Sequence, residues 1–183
     1  NIEQLYATIN PTTRERALQT IVRNRTNHGG ILAPGSGMIK HGESGRGIRS
    51  RWYPDTLRKR ILDIVKIRDR FSFIEGDGID VMRQHALLSD CTFFIDPPYT
   101  APGKSAGRRL YTHWMLDHEA LFSVTSSLAG DFLMTYEDSE GVRDLAGRNG
   151  FDIQQIAMKS THHARMTELL IGRNLSWATQ ADV

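Results

Sequence analysis

Residues 91–99 read Cys91-Thr92-Phe93-Phe94-Ile95-Asp96-Pro97-Pro98-Tyr99. A short, mostly apolar run passes straight into a carboxylate, two prolines and an aromatic ring. A continuous apolar run of this length, stopped by a proline turn, predicts a strand buried on both faces. Proline has a fixed φ and no N–H, so the turn is stiff and its carbonyls are free to accept. In open α/β sheets ligands bind outside the carboxyl ends of the strands, which is where Asp96 falls. A carboxylate beside a free carbonyl forms a pair of acceptors suited to an amino group. Tyr99 offers a flat face on which a base can stack, typically worth about 1–3 kcal/mol. The plainer alternative is a proline-kinked strand end with an Asp cap.

Working outward, strands and helices alternate. Downstream, residues 116–128 read as a helix with Asp117 near its start and Gly130 past its end. Residues 132–136 follow as a strand and 141–148 as a helix stopped by Gly150. Residues 151–158 and 166–171 are two further strands, joined by a loop holding His162 and His163. No helix separates these two, so they are expected to be antiparallel. Upstream, residues 71–74 (Phe-Ser-Phe-Ile) read as a short strand and 81–88 as a helix. The rhythm predicts an α/β sheet with crossover helices.

Before residue 71 the texture is different. Pro54 opens a helix with Asp55 in its first turn and an apolar stripe of Leu57, Ile61, Ile64, Val65 and Ile67. Arg58, Lys59, Arg60, Lys66, Arg68 and Arg70 make that segment strongly basic. Residues 27–50 show no period and hold seven glycines, so they read as a long loop or loose hairpin. Lys40, Arg46, Arg49 and Arg51 stud this stretch. Residues 11–22 read as a short helix started by Pro11 and Thr12.

The whole chain, 183 residues with 23 Lys+Arg and 21 Asp+Glu, carries a formal charge of only +2. That value hides an asymmetry. Residues 1–70 hold 14 Lys/Arg and 6 Asp/Glu, whereas residues 71–183 hold 9 and 15. A basic region, 1–70, thus precedes an acidic one, 71–183, the combination expected of a polyanion-binding part beside a different working part. Basic residues that merely coat solvated helices are the alternative. A single cysteine excludes an internal disulfide or a multi-cysteine zinc site, and Cys91 reads as core packing. His113, His118, His162 and His163 fit no zinc spacing, so no metal is expected. No apolar run approaches the roughly 18–20 residues of a membrane span, and the start has no signal-peptide pattern.

The Asp96-Pro97-Pro98-Tyr99 run after an apolar strand resembles the signature of amino-group DNA methyltransferases, most closely the DNA adenine methylases. Leu110-Tyr111-Thr112-His113 and Asp117-His118-Glu119-Ala120-Leu121 are similar to the segment that follows the motif in that family. Phe132-Leu133-Met134-Thr135-Tyr136 resembles the next core strand, and residues 162–171 the closing hairpin. Residues 24–30 and Arg51-Trp52-Tyr53-Pro54 are similar to parts of its target-recognition region.

The resemblance implies a Rossmann-like methyltransferase sheet with a closing antiparallel hairpin, and a basic helix and loop module that recognises the target. It implies methyl transfer from S-adenosylmethionine to the exocyclic amine of an adenine flipped out of double-stranded DNA, without a covalent intermediate. Asp96 and the Pro97 carbonyl would accept from the amine, Pro98 would stiffen the turn, and Tyr99 would stack on the base. Asp96 would also be cofactor-binding, and Asp77 would lie beside the cofactor's adenine. Its competing role is a plain helix cap, and there Asp80 would be the cap. Arg25, Asn27, Arg46, Arg49 and Arg51 are the candidate DNA contacts. Tyr111 and His113 would clamp the substrate near the motif, and Trp114 either joins them or belongs to the core. A cytoplasmic, bacterial or phage-encoded enzyme is implied, either solitary or partnered by a cognate restriction nuclease.

Parts of the family pattern are missing. The glycine-rich cofactor turn, similar to Phe-x-Gly-x-Gly, a Lys-containing motif and an acidic ribose ligand precede residue 1 in the family's usual order. Pro34-Gly35-Ser36-Gly37 is glycine-rich but has no strand before it and no helix after it. The expectation is an upstream segment cut from this chain, carrying the first core strands, or a degenerate relative. A DNA-binding remnant without catalysis and an adenine methyltransferase acting on RNA are the competing functions. Glutamine methylases resemble this pattern too but carry Asn in place of Asp96, which counts against them.

Overall fold

The computed structural model describes residues 2–33, 36–42, 45–99, 111–159 and 165–178. They divide into two compact units. The first runs to Ile74 and includes Tyr111 and Thr112; the second holds the remainder from Glu75 on. Pro34, Gly35, Lys104, Arg108, Arg109, Leu110 and the His162/His163 loop lie outside the described residues.

The second unit is mixed α/β. Its strands are β1 (Thr92–Ile95), β2 (Asp131–Glu137), β3 (Asp152–Lys159) and β4 (Arg165–Gly172), in the order β1-β2-β4-β3. Only β1 and β2 are parallel, pairing Thr92 with Asp131 through Ile95 with Met134. As expected from the missing helix between them, β3 and β4 are antiparallel, and β4 also runs antiparallel to β2.

Helices in this unit begin where a short polar side chain closes the first turn. Asp77 caps the helix Gly78–His85, accepting from Ile79 N at 2.8 Å and from Asp80 N at 3.4 Å. Asp117 caps the crossover helix His118–Ser126 by accepting from Ala120 N, and Ser139 caps Glu140–Arg148. Each such cap stabilises its helix by about 1 kcal/mol. Gly150, at φ 69°, supplies the left-handed turn that ends the last of these helices.

The core lies on one face of the sheet. Along β2 the alternation buries Phe132, Met134 and Tyr136, which join Ile95, Leu169 and Ile171. Phe122, Leu121 and Val124 from the crossover helix and Val142, Leu145 and Ala146 from the next one cover them. Phe151 joins the aromatic layer, edge-on to Phe132 at 4.8 Å and stacked with Phe122 at 6.1 Å.

The other face is more open, and this corrects the reading of residues 91–95. Only Ile95 of β1 is buried, Phe94 is 68% exposed, and Cys91 is half-buried. Among the described residues the strand is at the edge of the sheet, and Thr92 and Phe94 project from the face opposite the buried core.

The first unit is helical. Its α-helices are Ile2–Tyr6, Thr13–Thr26 and Pro54–Lys66. The second of these starts with a reciprocal capping box, Thr12 and Glu15 each accepting from the other's backbone N–H. It continues four residues past the expected end at Val22. Among the described residues of 27–51, an antiparallel bridge joins Asn27 and Met38, as a loose hairpin would have, and 3-10 turns lie at His28–Gly30 and Gly47–Arg51. The helix Pro54–Lys66 carries its predicted apolar stripe, but none of its residues is buried, and Ile61, Ile64 and Val65 are all about half exposed.

No strand forms over residues 71–74. A strand needs a neighbour to satisfy its backbone, and among the described residues none pairs with this segment. Phe73 is 90% exposed there. A β-prone local sequence is therefore not enough to make a strand.

Candidate functional site

The carboxyl ends of β1 and β2 bring together four polar side chains: Asp96, Tyr99, Thr135 and Glu168. Parallel pairing of Ile95 with Met134 puts the next residues, Asp96 and Thr135, side by side. Thr135 Oγ1 donates to Asp96 Oδ1 at 2.9 Å. The Tyr99 hydroxyl lies 3.3 Å from the same Oδ1 and 3.5 Å from Glu168 Oε2. Glu168 stands directly across the antiparallel ladder from Glu137. The result is a small anionic site edged by aromatic rings.

The ring of Tyr99 is fixed by stacking on Tyr136, with centroids 5.8 Å apart and planes at 22°. Tyr136 is fully buried, tilts against Phe122, and its hydroxyl is bonded to His118 Nδ1. The Tyr99 ring is thus seated on the hydrophobic core. Partial burial, above all, pushes the Tyr99 phenol up to about 12; the Thr135 hydroxyl opposes this, and the carboxylates of Glu168 and Asp96 add to it. Tyr99 therefore keeps its proton at neutral pH and acts as a donor. Tyr136 is raised as well, chiefly by burial, then by the Glu137 carboxylate and by Tyr99.

Within the turn, Pro97 is buried and Pro98 half-buried, while Asp96 stays exposed. Among the described residues the Pro97 carbonyl accepts no hydrogen bond. Of the two acceptors foreseen from the sequence, the carboxylate is thus exposed, and the neighbouring carbonyl is unbonded among the described residues although its proline is buried. Thr135 and Glu168 were not foreseen. The one signal available was their polar character within predicted strands, which becomes informative only once the register is known.

Asp77 is a helix cap in fact, and Asp80 is not: Asp80 sits in the first turn, paired with Arg83 at 2.7 Å. Capping engages Oδ1 of Asp77 and leaves its second oxygen free of the cap.

The candidate DNA contacts separate into two groups. Arg46 and Arg49 are exposed on the loop, and Arg25 is half-buried. Asn27 cannot read a base edge in this conformation, because it is 5% exposed and its Nδ2 donates to Ile31 O at 2.8 Å. Arg51 NH1 donates to the Asn27 carbonyl at 3.3 Å, so it braces the hairpin. A buried polar group needs such a partner, and here that need takes up the side chains of Asn27 and Arg51. Tyr111 and His113 are exposed and Trp114 is half-buried.

Among the described residues no group of three His, Cys, Asp or Glu side chains is arranged to hold a metal ion. No helix among them is long and apolar enough to cross a membrane. No family model matches the chain, and no curated protein sequence matches it.

Proposed function

We propose that this chain carries the amine-binding half of an adenine-directed, S-adenosylmethionine-dependent DNA methyltransferase, built on a Rossmann-like sheet. The observation that carries the reading is the turn at the end of β1. There an exposed carboxylate and a carbonyl unbonded among the described residues stand next to a tyrosine ring held on the core. The acidic and aromatic donor set also suits a cation. Asp96, Glu168 and the ring of Tyr99 offer negative charge and a π face to a sulfonium. Asp96 and the second oxygen of Asp77 are the groups that would hold the cofactor. When bound, it supplies an electrophilic methyl group.

The chain's own residues do the rest. Tyr99 stacks on the extruded base, and stacking of this kind is worth about 1–3 kcal/mol. Asp96 and the Pro97 carbonyl accept the two amine hydrogens, which fixes the nitrogen and keeps its electron density available. Asp96 would take the proton that the nitrogen loses on gaining the methyl group, the sulfonium's carbon–sulfur bond breaking to leave a neutral thioether. Arg46 and Arg49 on the basic unit supply phosphate contacts, so binding to duplex DNA weakens steeply as salt rises.

Methyl transfer to duplex DNA by the protein and by its Asp96→Ala variant tests this. Loss of the acceptor lowers turnover by about 10²-fold or more, as for other preorganised electrostatic contacts. Equal activity in the two preparations removes Asp96 from the chemistry. A protein that neither transfers methyl groups nor binds S-adenosylmethionine rejects the proposal.

A further inference from the structure

Asp96 has two oxygens, and the site treats them differently. Thr135 Oγ1 and the Tyr99 hydroxyl both meet Oδ1, at 2.9 and 3.3 Å. Among the described residues Oδ2 accepts nothing. A carboxylate turns about a broad, two-fold torsion, so an unheld Asp96 would present either oxygen over a wide arc. Two donors on one oxygen remove that freedom.

The two donors are not equivalent. Tyr99 has one proton and two carboxylates within reach, Asp96 and Glu168. Whenever its hydroxyl turns to Glu168, it releases Asp96. Thr135 stands on β2, which is paired on both sides, and its β-branched side chain is stiff about χ1. Its bond to Asp96 is also the shorter. A donor on the rigid sheet thus holds an acceptor on the adjoining turn.

We propose that Thr135 is a positioning residue that acts through Asp96, holding Oδ1 so that Oδ2 is the oxygen presented to the substrate amine. The inference rests on the methyl-transfer reading and adds to it the residue that orients the acceptor. Hydrogen bonds to charged groups are the stronger ones, so the hydroxyl is the part of Thr135 that matters. Its methyl group and backbone serve only the strand.

The test compares Thr135→Val, Thr135→Ser and Asp96→Ala with the wild-type protein. Valine keeps the branched shape and favours a strand, and thermal melting checks that each variant is folded. Turnover on duplex DNA is expected to fall about ten- to hundredfold in Thr135→Val, the loss of one charge-assisted bond. KM for the duplex stays within about twofold, because the phosphate contacts that dominate affinity are untouched. Thr135→Ser restores turnover.

A second readout needs no turnover: affinity for adenosine against purine riboside, which lacks the 6-amino group, measured by NMR titration. Wild type and Thr135→Ser prefer adenosine; Thr135→Val loses the preference. A Thr135→Val protein with wild-type turnover and preference overturns the inference while an impaired Asp96→Ala leaves the parent reading standing. A Thr135→Ser protein as impaired as Thr135→Val also overturns it, since the hydroxyl is then not the cause. A wild-type protein indifferent to both the amino group and Asp96→Ala overturns the parent reading and the inference together.

Discussion

Gly130 precedes β2 at the point where the chain passes beside the segment leading into β1. A Cβ on Gly130 would lie 2.0 Å from the Cys91 carbonyl oxygen and 2.7 Å from that of Leu88. Carbon–oxygen contacts normally begin near 3.3 Å, so the closer one must open by about 1.3 Å. Both obstructing atoms are backbone, and no side chain can swing aside to admit a methyl group. Gly130→Ala therefore costs about 3 kcal/mol, at the upper end of overpacking substitutions. Domains of this kind have only about 5–15 kcal/mol in total. Urea unfolding followed by near-ultraviolet circular dichroism measures the loss. The midpoint falls while the slope is unchanged, because the same surface is exposed. Gly141→Ala is the control: it lies in the helix Glu140–Arg148, its Cβ would meet nothing within 4 Å, and it should gain about 0.5–1 kcal/mol. A Gly130→Ala protein within about 0.5 kcal/mol of wild type would refute the close approach. It would also undermine the β1–β2 register that sets Asp96 beside Thr135, since this crossing is immediately before the Thr92–Asp131 pair.

Two further predictions concern the second unit. Phe122 is fully buried between Tyr136 and Phe151, so Phe122→Ala should cost about 3–5 kcal/mol in the same unfolding assay; a loss under about 1 kcal/mol would place the core elsewhere. Asp138 accepts both nitrogens of Arg143, at 2.7 and 2.9 Å, and Gln155 Nε2 at 2.7 Å, and the Arg143 bond above all holds its carboxyl below the usual carboxylate range. A depressed folded-state value stabilises above the unfolded value near 3.9 and is lost as pH falls through the folded one. Asp138→Asn should therefore melt lower than wild type at pH 7, with the gap closing in thermal melts below about pH 4; a gap independent of pH would show that the pair contributes nothing by ionisation.

Local signals carried the helices and the closing hairpin into the sequence reading. Asp117, Ser139 and the Thr12–Glu15 pair are caps whose effect is confined to one turn, and the adjacency of two strands without a helix determines how they pair. Failures occurred where the decisive partner is distant in sequence. Residues 71–74 look like a strand by composition, yet strand formation depends on a neighbour that composition does not reveal. The apolar run at 91–95 looks buried on both faces, and its edge position leaves Phe94 out. Asp77 and Asp80 are both plausible caps three residues apart, and only the bonds to Ile79 N and Asp80 N distinguish them. The candidate site divides the same way. Asp96 and Tyr99 lie within one motif, whereas Thr135 and Glu168 join them across 39 and 69 residues of chain.

The two prolines have a consequence for the edge of the sheet as well as for the turn. An exposed edge strand with an apolar side chain such as Phe94 is a template on which another chain can pair and start to aggregate. Pro97 and Pro98 come directly after Asp96 and have no N–H to offer, so the template stops at the four residues of β1. A docking strand could gain only that short ladder before meeting a carboxylate and two residues unable to donate. The stiffness of the turn thus also gives the protein colloidal protection, and replacing either proline would lengthen the sticky edge as well as loosen the turn.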